Sequence, residues 1–484
     1  MRVLIAPDKF KGTLSAAAAA RAMRAGVQDA LADGAKNFAR GSGETKDIEF
    51  SIECKPLADG GEGSHDCLRE LSESAGLDLL LRENSARLAD PNGAPRAVSY
   101  LESDPTNRGE RGLHCYLETA LAIGLTLPGA RKQSILDRTT RGVGEWMAAR
   151  IADDAATDAP IALHLFLGGS GTSDGGFGLA RALGFRFLRA TQPNNHAAPE
   201  QASGTGVGEE IESFREVLAA QSVVAPKSIS TAAATGASRA IAVHVYTDVQ
   251  NPLDGPDGAA RLFGPQKGAN AAEVEALEER LAHMGRLFED MRARLAEGDA
   301  ARRNAGPEAA SRDIAQSSEP LYRRPGAGAA GGLALPLLYW PAATIHFRSG
   351  IDFFLEAAGL DELLVKKHDE RPELIISGEG ATDRGSLQGK VVAGLGRCLS
   401  ATQQQGGDSK SPPPPLLIVS GMIPAADRAA LVAAGFPHLY DTNAACGKAW
   451  PLTPEQARDR LRKTTAFALR DYFKNHGPES ARGE

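Results

Sequence analysis

Short apolar runs recur along the chain and are separated by stretches of helical character. Five of these runs predict buried strands, namely Val3–Ala6, Ile161–Leu167, Ile241–Tyr246, Leu374–Ser377 and Leu416–Ser420. Runs that are apolar throughout are typical of parallel strands covered on both faces. Strands that alternate with helices predict an α/β architecture.

Two helices are predicted from the spacing of apolar residues. The alanine-rich run after the first strand predicts a helix that reaches Leu31, with Thr13 or Ser15 as its N-cap. Ala271–Leu295 carries apolar residues on one face with charges between them, which predicts a long amphipathic helix. His283 lies beside that face, and we expect it to be solvated rather than to bind a ligand.

Four polar segments predict loops or insertions: Ala35–Lys46, Gln192–Glu209, Gly298–Glu319 and Gln403–Pro415. The last of these ends in four prolines, which favour an extended, exposed linker. A chain of 484 residues is long enough for two or more domains, each with its own core.

Composition narrows the class of protein. A net charge of −7 and an aromatic content of 5% argue against a nucleic-acid-binding surface. No apolar run approaches the length of about eighteen residues that a membrane span needs. The five cysteines lack metal-ligand spacing and predict reduced thiols, and a strand that begins at the third residue leaves no room for a leader peptide. We therefore expect a cytoplasmic protein.

Acidic residues and glycines cluster where the predicted strands end. Asp8 and Lys11 follow the first strand, and Asp174 lies in a glycine-rich stretch after the second. Asp248 and Glu379 follow the third and the fourth strands. Open α/β sheets bind ligands at the carboxyl ends of their strands, so these are candidate site residues. Ordinary turns would explain any one cluster, but they explain the recurrence poorly.

This mixture of residues suits phosphoryl transfer. Glycine loops and helix N-termini offer backbone amides to phosphate oxygens. Carboxylates hold magnesium, lysine and arginine offset developing charge, and one carboxylate can deprotonate the attacking hydroxyl. The residues alone therefore favour a phosphotransferase.

Two motifs are matched only in part. Gly385–Val391 is similar to a P-loop, but only three residues separate its glycines and no Ser or Thr follows Lys390. Gly326–Gly331 fits the dinucleotide pattern GxGxxG, with Asp352 about twenty residues further on. The preceding stretch Pro320–Pro325 is no buried strand, which favours a glycine-rich anion loop over a dinucleotide fold.

Several motifs occur together in the order of one known family. They are Ala6–Gly12, Leu57–Gly63, Gly168–Gly176, Asp248–Leu253, Phe263–Gly268, Gly326–Gly332, Ser349–Asp352 and Gly378–Gly380. In this set, which runs from residue 1 to about residue 423, the chain resembles the bacterial-type glycerate kinase family. The resemblance implies ATP-dependent phosphorylation of D-glycerate with Mg²⁺.

The resemblance also implies an α/β fold of two domains. Residues 1–62 with 346–484 would form a flavodoxin-like, Rossmann-type three-layer domain. Residues 63–345 would form an inserted restriction-enzyme-like α/β domain. The active site is then expected in the cleft between the two.

The chain departs from the family pattern in length and at single positions. It is longer than usual for the family, and the surplus falls in the polar segments and in Glu83–His114, which fits a eukaryotic member with insertions. Ser173, Gln250 and Ala381 replace residues that are more common in the family. Each replacement puts a neighbouring contact in doubt, but none removes an acid.

The motif positions imply roles for individual residues. Asp174 is the expected hydroxyl-activating base, because glycines hold it at a strand-to-helix turn. Asp8 and Lys11 complete the catalytic group, and Lys11 would bind the transferred phosphate or the substrate carboxylate. Arg348 is a further candidate for the carboxylate, since a guanidinium pairs with it through two hydrogen bonds.

The remaining candidates serve the cofactors, ATP and Mg²⁺. The expected nucleotide-binding residues are Gly326, Gly328, Gly331 and Lys390, and the expected magnesium ligands are Asp248 and Glu379. The expected partners are D-glycerate and ATP, without nucleic acid or membrane, and a homodimer stays open.

Two other functions stay open on the sequence. A nicotinamide-dependent oxidoreductase would act on the same small hydroxy acids, and a non-catalytic relative would keep the fold without turnover. Nucleotide preference separates the first from a kinase, and the presence of Asp8, Lys11, Asp174 and Glu379 argues against the second. The resemblance favours phosphorylation at the 2-position of glycerate over the 3-position.

Overall fold

The computed structural model divides the chain into two compact units. Unit 1 consists of Met1–Leu80 with Ser349–Glu484, and unit 2 of Leu81–Arg348. The residues described are 1–38, 51–74, 81–103, 112–152, 159–189, 209–226, 240–302, 319–365, 371–387, 389–404, 413–443 and 452–476. The first boundary lies near residue 80 rather than at 62, because a helix over Ser64–Ser74 packs against helices of unit 1.

The described elements alternate between strands and helices. The strands are β1 (Arg2–Ile5), β2 (Ser51–Cys54), β3 (Leu81–Ala89), β4 (Pro95–Ser103), β5 (Leu113–Glu118), β6 (Ile161–Phe166), β7 (Arg186–Leu188), β8 (Ser222–Val224), β9 (Ile241–Tyr246), β10 (Thr344–Arg348), β11 (Leu374–Ser377), β12 (Leu416–Ser420) and β13 (His438–Asp441). The helices are α1 (Ala16–Phe38), α2 (Ser64–Ser74), α3 (Thr119–Ile123), α4 (Arg141–Ala152), α5 (Phe177–Ala182), α6 (Ala259–Phe263), α7 (Ala271–Arg302), α8 (Ala329–Gly332), α9 (Leu335–Leu338), α10 (Gly350–Ala357), α11 (Leu360–Val365), α12 (Val391–Gln404), α13 (Ala425–Ala433) and α14 (Pro454–His476).

Unit 1 is built on a parallel sheet in the order β13-β12-β11-β1-β2. Its central strands are apolar throughout and buried, as the sequence predicted for β1, β11 and β12. The strand order reverses between β1 and β11, because β2 adds to one side of β1 and the later strands add to the other. Asp8 and Glu379 follow the two strands that flank this reversal.

The first helix of unit 1 begins where the sequence predicted and continues further. Ser15 is its cap, since Ser15 Oγ accepts a hydrogen bond of 3.2 Å from the Ala18 amide. Thr13 Oγ1 instead donates to the Phe10 carbonyl. The helix passes the predicted end at Leu31 and reaches Phe38, because its apolar face packs along α14 at Leu461 and other buried residues.

Unit 2 contains a sheet in the order β10-β9-β6-β5-β4-β3. The four strands β10, β9, β6 and β5 are parallel, whereas β4 is antiparallel to β5 and β3 is antiparallel to β4. Most of Glu83–His114, which the sequence assigned to surplus length, forms this antiparallel extension. Outward residues of β3 are polar and exposed, so the strand lacks the apolar run by which the others were recognised.

The long helix α7 packs into the apolar core of unit 2, where it contacts α6 and β8. Leu277, Leu281, Met284 and Phe288 are buried in the main core of this unit, as their spacing predicted. His283 is not simply solvated, because its Nε2 hydrogen-bonds the Ala220 carbonyl at 2.8 Å.

Much of the polar sequence lies outside the described residues. This applies to residues 39–46, 192–208, 303–318 and 405–412 of the four predicted segments. The flanking parts of three segments are helical, since they belong to α1, α7 and α12. The described cysteines are free thiols, as predicted, and Cys446 lies outside the described residues.

The six-stranded sheet of unit 2 carries a row of stacked rings on one face. Tyr116, His164, His244 and His346 occupy matching positions on β5, β6, β9 and β10. Successive ring centroids are 4.3, 4.6 and 4.8 Å apart. Burial lowers the pKa of His164 well below its usual value and lowers the pKa of His244 to about 4. Burial therefore favours uncharged imidazoles at His164 and His244, in the middle of the row.

Acid should weaken unit 2 through these rings. Histidine in the unfolded chain has a pKa near 6.5, whereas His244 folds with a pKa of about 4, so the unfolded state binds more protons between these values. We expect the contribution of His244 to the free energy of unfolding to fall as the pH is lowered through that window and to be constant above it. Urea unfolding as a function of pH measures this dependence.

Substitution of one ring provides the check. His244→Gln should have a shallower loss of stability below pH 6.5 than the parent protein, because one titrating group is gone. His476→Gln, which removes a histidine from unit 1, is the matched control. Equal slopes for parent and His244→Gln would contradict the expectation.

Candidate active site

Asp8 lies at the strand-order reversal of unit 1 and is almost fully buried. Its backbone amide donates to the Gly378 carbonyl at 2.9 Å, which joins the loop after β1 to the loop after β11. Its carboxylate accepts from the Lys9 amide at 2.6 Å. Ligands of open α/β sheets bind at such reversal points, so the structure favours this loop as part of a site.

Lys9 links two carboxylates in this loop. Its Nζ lies 3.9 Å from Asp8 Oδ1 and 3.7 Å from Asp59 Oδ1. Asp59 is oriented in turn by the Gly61 amide, which donates to it at 3.0 Å. The sequence singled out Lys11 instead, but Lys11 is exposed. Sequence reasoning thus missed the contacts of Lys9 with Asp8 and Asp59, although the Asp59–Gly63 cluster was noticed.

Glu379 contributes a second buried carboxylate, beside the half-buried Asp59. Its Oε2 pairs with Lys390 Nζ at 3.4 Å, so two residues that the sequence assigned to metal and nucleotide lie together. Its Oε1 is buried and makes no hydrogen bond of ordinary geometry in the described part of the chain, although the Ser386 hydroxyl lies near enough to the carboxyl group to lower its pKa. Burial raises the pKa of Glu379, and the charge of Lys390 opposes that rise.

Asp8 titrates near neutrality, chiefly because it is buried. Burial raises the pKa of Asp8 to about 7; Lys9 lowers it, and the charges of Asp59 and Glu379 raise it. A carboxylate with such a pKa can both hold and release a proton at physiological pH. This is the property that a general base in catalysis needs.

Asp174 in unit 2 is fully buried and satisfied by hydrogen bonds. Its Oδ2 accepts from the Thr140 amide at 2.9 Å, from Thr140 Oγ1 at 2.9 Å and from the Gly178 amide at 3.1 Å. Its Oδ1 accepts from the Gly176 amide at 3.1 Å. Burial raises the pKa of Asp174, and these bonds oppose the rise. Both oxygens are engaged, which favours a capping role for Asp174 over the base predicted from the sequence.

Two buried cations hold the loop that precedes Asp174. Lys267 Nζ donates to Ser170 Oγ at 3.0 Å and to the Thr172 carbonyl at 2.7 Å. Arg138 donates to the Gly171 carbonyl at 3.1 Å. Burial lowers the pKa of Lys267 to about 7, while the charge of Asp174 raises it. The loop is therefore fixed along most of its length.

The glycine cluster at Gly326–Gly332 packs tightly against neighbouring loops. A Cβ at Gly328 would lie 2.1 Å from the Pro252 carbonyl oxygen, and one at Gly331 would lie 2.4 Å from the Thr172 carbonyl oxygen. The Gly328 amide donates to the Asn251 carbonyl, and the Gly331 amide donates to the Gly328 carbonyl. Close packing explains these two glycines. Gly326 has room for a Cβ, so packing does not explain it.

Asp248 and Arg348 lie at the carboxyl ends of adjacent strands in unit 2. Arg348 pairs with Tyr246 in the β9–β10 register, and the Arg348 carbonyl accepts from the Thr247 amide at 3.1 Å. Arg348 is exposed and Asp248 is half-buried. The topology thus brings these two predicted residues to one edge of the sheet, as expected from the parallel strands.

Unit 2 also contains a cavity of about 640 Å³ beside Asp174. Its lining includes Arg138, Arg141 and Arg181, with Phe177 among the apolar residues. Arg181 pairs with Glu210 and Glu212, and Arg141 pairs with Glu145, so much of the positive charge is balanced.

The described residues contain neither a cluster of metal-ligating side chains nor a helix suited to cross a membrane. Among these residues, no group of three or more His, Cys, Asp or Glu side chains is arranged to hold a metal ion. Mg²⁺ is commonly bound through one or two carboxylates together with phosphates and water, so this result fits the few ligands that Glu379 and its neighbours offer. In the same part of the chain, every helix is too short or too polar to cross a membrane.

Buried carboxylates and paired lysines at the carboxyl ends of parallel strands are typical of an α/β enzyme that transfers phosphoryl groups. The model of the glycerate kinase family matches residues 3–405, and the chain belongs to this family. It is thus a phosphotransferase that acts on a hydroxyl group, and kinase chemistry implies ATP as the donor. Family membership also argues against the nicotinamide-dependent alternative.

Curated relatives agree with this assignment. The glycerate kinase of Bacillus subtilis (strain 168) is 31% identical over 398 residues, which cover 82% of this chain and 81% of the relative. The glycerate 2-kinase of Escherichia coli (strain K12) is 28% identical over 395 residues, with coverage of 82% and 81%.

A solved structure supports the fold. The crystal structure described as glycerate kinase 2 from Salmonella typhimurium LT2 superposes with a TM-score of 0.62. It covers 98% of this chain and 99% of its own, at 24% sequence identity. At that identity the likeness concerns the mixed α/β fold alone.

Asp174→Asn should separate a capping role from a catalytic one. The amide would place an NH₂ group against backbone donors, so we expect a loss of roughly 2–4 kcal/mol in the free energy of unfolding. Urea unfolding and kcat are measured on the same preparation. Unchanged stability with a hundredfold lower kcat would restore Asp174 as the base.

Proposed function

We propose that this protein transfers the γ-phosphoryl group of ATP to D-glycerate and that the 2-hydroxyl is the acceptor. The family match and the relatives named as glycerate kinases support the reaction. The Escherichia coli relative named as a glycerate 2-kinase supports the choice of hydroxyl. In the reaction the hydroxyl oxygen bonds to phosphorus, the bond to the bridging oxygen of ADP breaks, and the hydroxyl proton passes to a base.

Asp8 is the base in this proposal. The observation that carries this assignment is a buried carboxylate with a pKa of about 7 at the strand-order reversal. In its ionised form Asp8 accepts the hydroxyl proton, and Lys9 holds the carboxylate in place through the contact of 3.9 Å. Asp174, whose oxygens are all engaged, caps α5 instead.

Glu379 is the preferred ligand for Mg²⁺. Its buried Oε1 makes no hydrogen bond of ordinary geometry in the described part of the chain, with the Ser386 hydroxyl near the carboxyl group, so this oxygen suits a cation. Mg²⁺ bound there with the phosphates of ATP would neutralise charge that develops on the transferred group. Lys390, paired with Glu379, then offsets charge on the nucleotide. Asp248 stays a second candidate ligand.

The remaining candidate residues keep the roles that the sequence predicted for them. Arg348 and Lys11 are exposed cations and stay candidates for the substrate carboxylate. Gly326 stays a candidate for nucleotide phosphates, whereas packing already explains Gly328 and Gly331. A cytoplasmic location and a homodimer are kept as predictions.

The finer description of the fold also belongs to this proposal. From β2 to β13, the sheet of unit 1 reads 2-1-3-4-5 when its strands are numbered in chain order, and this order supports a flavodoxin-like domain. The mixed sheet of unit 2 is compatible with a restriction-enzyme-like domain.

The reaction is tested directly with the purified protein. We expect ADP release that depends on D-glycerate and Mg²⁺, measured in a coupled assay, and a ³¹P NMR spectrum of 2-phosphoglycerate. A product phosphorylated at the 3-position would overturn the choice of hydroxyl. No turnover of D-glycerate by folded protein would overturn the function.

Asp8→Asn tests the base. We expect kcat to fall about 10²–10⁴-fold, since an amide cannot take up the proton. In the parent protein, kcat/KM should fall below about pH 7, because protonated Asp8 is inactive as a base. Asp29→Asn, which alters an exposed partner of Arg462, is the matched control and should retain activity. A parent profile that is flat from pH 5 to 8 would exclude Asp8.

A further inference from the structure

The loop after β6 contains two buried hydroxyls that the described structure leaves unpartnered. Thr172 and Ser173 are fully buried, and neither Thr172 Oγ1 nor Ser173 Oγ has a hydrogen-bond partner. Their neighbours on the loop are satisfied, since Ser170 Oγ and the Thr172 carbonyl accept from Lys267. Buried polar groups in native proteins are rarely left unpaired, so these hydroxyls indicate a missing partner.

Asn251 adds a third unpartnered atom from another loop. Its Nδ2 donates to the Pro252 carbonyl at 3.0 Å, but its buried Oδ1 accepts no hydrogen bond in the described structure. Both loops lie against one segment, Gly328–Gly332, which we call the cover. A Cβ at Gly331 would lie 3.0 Å from Ser173 Oγ, and one at Gly328 would lie 2.2 Å from Asn251 Nδ2.

The cover is itself strained. Ala330, Gly331 and Gly332 have φ values of 52°, 73° and 82°, all in the left-handed region. Ala330 is the one residue other than glycine with a positive φ among those that the structure describes. A strained segment over unpaired polar groups is typical of an element that changes conformation at a functional site.

We propose that Thr172 Oγ1, Ser173 Oγ and Asn251 Oδ1 bind the hydroxy-acid acceptor and that the cover is displaced when it enters. This inference rests on the proposed function and deepens it. Displacement releases the left-handed conformation of Ala330, and the acceptor supplies hydrogen bonds that the closed form lacks.

The chemistry of the three atoms selects the ligand. The two hydroxyls can donate to carboxylate oxygens, whereas Asn251 Oδ1 can only accept, so the ligand must also offer a hydroxyl donor. Lys267 donates to the Thr172 carbonyl, and its positive charge favours an anion at this loop. A small hydroxy acid meets these demands. Nucleotide phosphates would bring only acceptor oxygens to Asn251 Oδ1, and the ribose of a nucleotide would lack the negative charge.

Removal of the hydroxyls is the first test. In Thr172→Val and Ser173→Ala, we expect the KM for D-glycerate to rise about tenfold, with the KM for ATP unchanged. The melting temperature should stay equal or rise, because each change removes an unpaired buried hydroxyl. Ser170→Ala is the matched control on the same loop. It should lower the melting temperature, since Lys267 loses a partner.

Relief of the strain is the second test. In Ala330→Gly, the glycine adopts the left-handed conformation without strain. The ratio of the closed cover to the displaced cover should therefore rise about fivefold. We expect a higher melting temperature together with a KM for D-glycerate that is about fivefold higher. A lower KM would show that the closed cover is the binding form and would overturn its displacement.

Other outcomes separate this inference from the function on which it rests. A rise in the KM for ATP alone would assign the subsite to the nucleotide ribose and overturn the assignment. Normal turnover with unchanged KM values, or lower melting temperatures in Thr172→Val and Ser173→Ala, would overturn the subsite and leave the function intact. If the parent does not turn over D-glycerate, calorimetric titration with D-glycerate decides: binding weakened by Thr172→Val supports the subsite, and unweakened or absent binding overturns it.

Discussion

Compensation of buried charge is the constraint on which both units depend. In unit 2, Asp174 receives four hydrogen bonds, three of them from backbone amides, and Lys267 returns two to the preceding loop. Removal of one partner would leave an uncompensated charge in the interior, which is far more costly than loss of a surface contact. The glycine-rich loop after β6 is therefore fixed by electrostatics as much as by its covalent geometry.

Unit 1 compensates its buried charge incompletely, and the pKa of Asp8 is raised as a result. Asp8 and Asp59 both lie near Lys9, at distances close to 4 Å, while Glu379 adds negative charge. A group compensated in this way keeps its proton up to neutral pH, whereas Asp174 is surrounded by donors. Two buried aspartates at strand ends thus have different electrostatic environments, because their hydrogen-bond partners differ in number.

The apolar strands and the acids at their ends could be predicted from the sequence, but contacts across the fold could not. The bounds of Ile241–Tyr246 were right because a continuous β-branched and apolar run marks a buried parallel strand. Lys9 was missed because its contact with Asp59 depends on the pairing of β1 with β2. The hydrogen bonds of Asp174 were not foreseen, because its partner Thr140 is 34 residues away in the chain. The histidine row was missed since each strand holds one member, and only register aligns them.

The discontinuity of unit 1 has a consequence for biosynthesis. The Ala6 carbonyl accepts a hydrogen bond from Ser377, 371 residues later, and β1 and β11 pair over the same separation. At translation speeds of about 5–20 residues per second, on the order of 20–70 seconds pass between the synthesis of β1 and the synthesis of β11. Unit 2 emerges from the ribosome entirely within that interval. The nascent chain must therefore shield an apolar strand edge, by chaperone binding or transient pairing, longer than its own inner unit takes to be made.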